Sequence, residues 1–199
     1  MFVGMRIVLL MLSENIQNSY MAYFTESHFR NYKANLNENQ RTFSYSAGRD
    51  INTKFDIFIS YNIHDQAVIF GVYNELTEMG FRVYVDFIID PDLNRGNVTL
   101  ETAKRIRTRL ENSKSLIYAQ SPNSAMSRWM PWELGIVDGH TKRCAVLPIL
   151  ANSTDIYHKQ EYLKLYPEVK PGMNHMYVYN EENGVEKPFH VNSFVNSSI

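Results

Sequence analysis

The sequence predicts an α/β protein in which a parallel β-sheet lies between two layers of helices. Three observations carry this reading. Short runs rich in β-branched and aromatic residues, such as Phe55-Asp-Ile-Phe-Ile-Ser-Tyr61, are apolar on both faces, as central parallel strands are. These runs alternate with segments whose apolar residues recur at helical spacing, which implies right-handed crossovers between parallel neighbours. The chain has 199 residues, of which 44% are hydrophobic and 13% aromatic, enough for one ordinary domain with a terminal appendage.

The elements follow in order. Residues 1–12 are apolar around an unbroken run at 7–12. That run is too short to span a bilayer, which needs about 20 residues, and no small-residue cleavage motif follows it. It reads either as an N-terminal helix or as an extension upstream of a start at Met21, and residues 1–20 are expected to be dispensable. Residues 24–36 look weakly helical, and the polar, Ser/Asn-rich residues 37–53 read as a linker. Residues 1–53 are therefore taken as an N-terminal extension, 54–180 as the domain and 181–199 as a tail. Strand one is 55–60. Residues 62–65 cap a helix whose apolar positions include Val68, Ile69, Val72, Leu76 and Met79, and Gly80 stops it. Strand two, 81–86, ends in Asp86, and 88–96, with Pro91 and Gly96, is a loop. Leu100, Ala103, Ile106 and Leu110 mark the next helix. Strands three and four fall at 115–120 and 144–150, a short helix at 161–165 and a fifth strand at 175–179. The result is a flavodoxin-like three-layer sandwich around a five-stranded parallel sheet.

Charge and cysteine usage narrow the function. A net charge of -1 gives no long-range field for nucleic acid or an acidic membrane. The single cysteine, Cys144, excludes an intramolecular disulfide and a cysteine zinc cluster, so a reducing cytoplasm is the simplest compartment. Six scattered histidines show no metal-ligand spacing, and no metal site is expected.

The chemistry points to residues 124–139, directly after strand three. Ser124 or Ser127 can cap a helix, and Pro131 is tolerated only in a first turn. Trp129 and Glu133 then share a face, with the carboxylate near the positive end of the helix dipole. Neither Gly-x-Gly-x-x-Gly nor Gly-x-x-x-x-Gly-Lys-Ser/Thr occurs, and no Gly-x-Ser-x-Gly elbow provides a hydrolase nucleophile. A phosphorelay receiver would end its first strand in an acidic pair, whereas this one ends in Ser60-Tyr61-Asn62. Those three residues, Asp86, Ser121, Trp129 and Glu133 converge on the carboxyl edge of the sheet, where open α/β sheets bind ligands. Aromatic walls, amides, hydroxyls and a carboxylate suit a planar base with ribose, and a carboxylate can stabilise an oxocarbenium-like sugar. Taken alone, a lone helix-start glutamate is more often a capping group, and tryptophans are more often core.

The same residues carry a resemblance. Phe55-Asp-Ile-Phe-Ile-Ser-Tyr61 with Asp65, Val83-Tyr-Val-Asp86, residues 113–121 and Ser127-x-Trp129-x-x-x-Glu133-Leu134 resemble, in order, four motifs of Toll/interleukin-1 receptor (TIR) domains. The likeness runs from about 54 to 150, and the lead-in and Glu161-Tyr-Leu-Lys-Leu-Tyr-Pro167 are similar to bacterial antiphage TIR proteins such as those of Thoeris systems. The resemblance implies an enzyme that consumes NAD as substrate, with no separate cofactor, to make an ADP-ribose-type signal. It implies a catalytic role for Glu133 and substrate contacts from Ser60, Tyr61, Asn62, Asp86 and Trp129. It also implies self-association through the BB loop at 88–96 and a downstream nucleotide-sensing effector. Two departures stand out: Pro131-Trp132 replaces the cysteine and small polar residue of many relatives, and Arg95 is the one evident anchor in the BB loop. A non-catalytic TIR scaffold and another N-glycosidic enzyme, such as a nucleoside deoxyribosyltransferase, are the alternatives.

Overall fold

The computed structural model describes residues 23–93, 99–172, 175–182 and 184–196. The dispensable segment expected at 1–20, and Arg95 and Gly96 of the expected loop, lie outside the described residues. A two-residue strand β1 (Phe24–Thr25) leads into α1 (Glu26–Arg30), and α2 (Glu38–Ser46) follows. Then come β2 (Phe55–Ser60), α3 (Gln66–Glu78), β3 (Val83–Tyr84), α4 (Asp86–Ile89), α5 (Leu100–Glu111), β4 (Ser113–Gln120), α6 (Met130–Thr141) and β5 (Cys144–Leu150). β6 (Glu168–Pro171), β7 (Met176–Glu182), β8 (Val185–His190) and α7 (Val191–Asn196) complete the chain.

The sheet runs β3-β2-β4-β5-β6-β7-β8, and every pairing from β3 through β6 is parallel. The order reverses between β2 and β4, so their carboxyl ends flank the crevice where such sheets bind ligands. Along this path the parallel block has five strands, with β1 pairing in parallel with β5 off the path, but the fifth on the path is Glu168–Pro171. The strand expected there, 175–179, is instead antiparallel to it as part of β7. Only four residues separate these two segments, so they meet as a hairpin, since a parallel return needs a crossover of a dozen residues or more. The tail expected to be irregular continues the sheet as β8, antiparallel to β7, and then caps it with α7.

Two cores flank the sheet. Ile57, Ile59, Ile117, Ala119 and Leu147 face α3, α1 and α7 through Ile69, Val72, Leu76, Phe29 and Val195. Phe58, Leu116, Tyr118 and Val146 face α5 and α6 through Ile106, Leu110, Met130, Leu134 and Val137. This in-and-out alternation along β2 and β4 places Ser60 on the α5/α6 side, next after Phe58.

The N-terminal residues belong to this packing. Phe24 and Thr25 pair in parallel with Ile149 and Leu150, beyond the Val146–Glu168 register where β5 pairs with β6. Phe29 lies over α3, and a Cβ on Gly71 would fall 2.0 Å from its carbonyl oxygen, so only glycine permits the approach. The linker reading of 37–53 is overturned. Asn37 accepts from the Gln40 amide at 3.0 Å and its own amide donates to the Gln40 side chain at 2.8 Å, a capping box that starts α2. Asparagine and serine there are helix punctuation, and composition alone does not distinguish them from linker residues.

A buried ion pair ties this segment to the domain. Arg109 on α5 donates through Nε and Nη2 to both oxygens of Asp90, each at 2.9 Å. Its Nη1 donates to the Asp50 carbonyl at 2.8 Å, and the Tyr84 hydroxyl donates to Asp90 at 2.9 Å. With 1% and 4% exposure, both charges are taken out of water and require this bidentate geometry.

Candidate active site

Ser60 and Glu133 meet where β2 ends and α6 begins. The Ser60 hydroxyl donates to Glu133 Oε2 at 2.6 Å, and both residues are fully buried. α6 starts at Met130, with Pro131 in its first turn, as the sequence requires. The Ser127 hydroxyl accepts from the amides of Trp129 and Met130, both at 3.3 Å, and the Glu133 amide donates to the Trp129 carbonyl at 2.9 Å. Glu133 therefore sits in the first turn, where the helix dipole favours its charge. Tyr118 pairs in register with Ser60, and its hydroxyl shares a 3.1 Å hydrogen bond with Tyr162. Burial first, then the Tyr162 contact and the Glu133 charge, push the Tyr118 phenol well above its ordinary range, so it stays neutral beside the carboxylate.

The second acid is engaged differently. Asp86 does not close strand two as expected, because β3 stops at Tyr84 and Asp86 opens α4. Its Oδ1 accepts from the Tyr61 hydroxyl and, at 2.7 Å, from the Phe87 amide. Tyr61 and Asp86 are both buried, and their contact anchors the end of β2 to α4.

Asn62 enters a third cluster. Its Oδ1 accepts from the His64 amide at 3.0 Å, and its Nδ2 donates to the Asn123 carbonyl at 2.8 Å. Asp65, buried, accepts from Ser121 Oγ at 2.5 Å and from Asn123 Nδ2 at 2.6 Å. The loops after β2 and β4 are thus knitted across the strand-order reversal. The sequence reading gave Asp65 and Asn123 no place in the site. The available signal is an acid and a Ser-Pro-Asn-Ser run at corresponding strand ends, since short polar side chains favour local loop bonding. Trp129 is half-buried and meets Trp132 edge-on at 5.3 Å, with the Arg107 guanidinium 5.8 Å from the Trp132 ring.

The six expected site residues thus form a Ser60–Glu133 pair, a Tyr61–Asp86 pair, an Asn62 brace and a separate tryptophan pair. Glu133 lies behind Ser60, and it lines neither of two clefts nearby. One, of about 790 Å³, lies between residues 48–51, Asp90 and α5. The other, of about 320 Å³, lies at the carboxyl ends of β4 and β5. Among the described residues no group of three or more His, Cys, Asp or Glu side chains could hold a metal, and no helix is long and apolar enough to cross a membrane.

The family model of the TIR domain matches residues 57–174, from β2 to the end of β6 and just beyond. The chain belongs to the TIR-domain family. A relative from Bacillus cereus (strain MSX-D12), described as a probable 3' cyclic ADP-D-ribose synthase ThsB', is 41% identical over 158 residues, covering 79% of this chain and 80% of its own. A putative cyclic ADP-D-ribose synthase TIR2 of Cytobacillus dafuensis is 31% identical over 81 residues, which are 40% of this chain and 21% of that protein. Among solved structures, the TIR domain of the Toll-related receptor TRR-2 from Hydra magnipapillata aligns with a TM-score of 0.42 at 24% identity, over 58% of this chain and 84% of that one. The TIR match includes β2, α6 and the Ser60–Glu133 contact between them.

Proposed function

We propose that this TIR domain is an enzyme that cleaves the nicotinamide–ribose bond of NAD and closes the ADP-ribose into a cyclic signal used in antiphage defence. The observation that carries the reading is a buried carboxylate, Glu133, held by Ser60 at the reversal point of a TIR sheet. It is supported by the 41% identity, over four-fifths of both chains, to a probable 3' cyclic ADP-D-ribose synthase.

The chemistry needs little else. As the C1'–N bond breaks, its electron pair passes to the cationic nicotinamide ring, which leaves neutral, so no general acid is required. Positive charge develops at the anomeric carbon, and Glu133 stabilises it. Ser60 fixes the carboxylate's orientation beforehand, so no reorganisation is needed at the moment of reaction. A hydroxyl of the adenosine-side ribose then attacks the anomeric carbon and passes its proton to the Glu133 carboxylate, closing the ring, and Glu133 returns that proton to solvent. Water attacking there instead would give linear ADP-ribose, and full burial of Glu133 favours the dry route. Because the carboxylate is covered in this conformation, substrate binding must move the side chains around Glu133 aside while its bond to Ser60 is kept. Trp129, half-buried beside it, offers the nicotinamide a ring to stack on.

NAD serves as substrate and no additional cofactor takes part. The protein works in the cytoplasm, self-associates through the loop after α4 and hands its product to a nucleotide-sensing effector. The test is to incubate purified protein with NAD, and separately with nucleosides, over a range of protein concentrations, and to resolve the products chromatographically. Nicotinamide and a cyclic product should appear from NAD alone, with specific activity rising with concentration. If no nicotinamide is released at any concentration, the protein is a TIR scaffold instead.

A further inference from the structure

The cleft at the ends of β4 and β5 has no role in the chemistry above. At about 320 Å³ it falls at the lower end of small-molecule sites, roughly 300–1,000 Å³, with room for one nucleoside and not for a whole dinucleotide. Its walls combine apolar Pro122, Ile149 and Ile156 with the amides of Gln120 and Gln160 and the ring of Tyr157. Ile156 is 78% exposed, an apolar side chain held at the rim.

The cleft is built in advance. Gln120, buried, accepts from the Tyr157 hydroxyl at 2.6 Å and donates to the His158 carbonyl at 3.0 Å, which fixes the loop at 151–160 over the strand ends. Tyr23 packs on Tyr157 with ring centroids 4.7 Å apart. Among the described residues no lysine or arginine lines the space and the Asp155 carboxylate does, so the lining disfavours a phosphate. An apolar slot with amide donors and acceptors suits a neutral heterocycle carrying hydroxyls. It opens on the same sheet edge as Ser60, with β4 between β2 and β5, so about two strand spacings, or roughly 10 Å, separate them.

We propose that this cleft holds the adenosine half of the dinucleotide, with the base in the slot and its ribose leading back over the end of β4 toward Glu133. The proposal rests on NAD being the substrate. Its diphosphate then lies outside the slot, consistent with the absence of cations among the lining residues.

Ala151 and Ala125 both line the cleft and are exposed, so Ala151→Trp and Ala125→Trp fill it without entering the core. Two quantities are measured on the full chain with each variant's melting curve: adenosine binding by calorimetry, and KM and kcat for NAD. The wild type should bind adenosine. Each tryptophan should weaken that binding and raise KM for NAD by about tenfold or more, while kcat stays within about twofold. Failure of the wild type to bind adenosine overturns the assignment, as does unchanged adenosine binding or KM in a folded variant. If NAD is not cleaved at all, the enzymatic reading falls, and the adenosine measurement still decides whether the cleft takes a nucleoside.

Discussion

Replacing Glu133 by glutamine isolates charge from shape. The side chain is fully buried, and its Oε2 accepts from Ser60 Oγ at 2.6 Å, a bond that a glutamine oxygen can also accept. Folding should therefore survive, and loss of a desolvated charge can leave the melting temperature unchanged or raise it. The chemical step should not survive. A carboxylate about 4 Å from the developing cation is worth roughly 4 kcal/mol at an effective dielectric near 20. That agrees with the 10²–10³-fold losses, or about 2.7–4 kcal/mol, seen when one electrostatic stabiliser is removed. Nicotinamide release at saturating NAD should fall by about 10²–10³-fold in Glu133→Gln, with binding of NAD retained. Ser60→Ala, which leaves the charge and removes its orienting hydroxyl, should lose less, on the order of tenfold. A folded Glu133→Gln protein that turns over at near wild-type rate refutes the catalytic assignment.

Other parts of the structure make separate predictions. Arg109→Met leaves Asp90 buried without its bidentate partner and should cost about 3–5 kcal/mol, lowering Tm by roughly 10 °C in a thermal melt, and Asp90→Asn in the same chain should restore part of the loss. Unchanged melting would show that the pair is not stabilising. Gly71→Ala drives a Cβ into the Phe29 carbonyl, so α1 should lift from α3, with a lower Tm and faster amide exchange in residues 26–30. Burial, aided by neighbouring carboxylates or hydroxyls, raises the phenols of Tyr23, Tyr118 and Tyr157, and burial with the Asp138 charge brings Tyr166 to about 12. A raised folded-state value adds stability that is fully present below the unfolded value near 10 and is lost as pH climbs toward the folded one. The phenolate absorbance of these four should thus appear only with unfolding above about pH 10, followed as the difference between wild type and each Tyr→Phe variant, and their titration in a folded protein would contradict their burial.

How much of this was legible in the sequence depended on whether a feature was local. The strands at 55–60, 113–120 and 144–150 are built around the apolar runs 57–59, 116–119 and 144–150, whose β-propensity and burial agree. Glu133 was legible because Pro131 fixes where a helix can begin. The direct contact was not, since no spacing rule links Ser60 to a residue 73 positions away; the strand ends placed both at one sheet edge without pairing them. The hairpin of β6 and β7 was missed because Glu168-Val-Lys-Pro171 has too few apolar residues to read as a strand. Lys170 is buried there all the same, paired with Glu168 at 3.2 Å and Glu186 at 2.5 Å and lying over the rings of Tyr23 and Tyr179. A charged residue placed in a sheet by partners from three other segments carries no local signature.

The two buried acids of the site have unlike duties, and Asp86→Asn separates them. Asp86 already accepts from the Tyr61 hydroxyl and the Phe87 amide, both at Oδ1, so that oxygen is engaged in bracing β2 against α4. A leaving group that departs neutral leaves no proton for a second carboxylate to deliver. Asparagine keeps the shape and an accepting Oδ1 but removes the charge that strengthens both bonds. Hydrogen bonds to a charged group contribute about 1.5–3 kcal/mol, so the substitution should lower Tm by roughly 3–12 °C for a chain of this size. Measured well below that Tm, kcat should stay within about tenfold of wild type, because the reacting carbon depends on Glu133. If Asp86→Asn melts like the wild type yet loses turnover as completely as Glu133→Gln, the bracing role is wrong and Asp86 acts on the substrate directly.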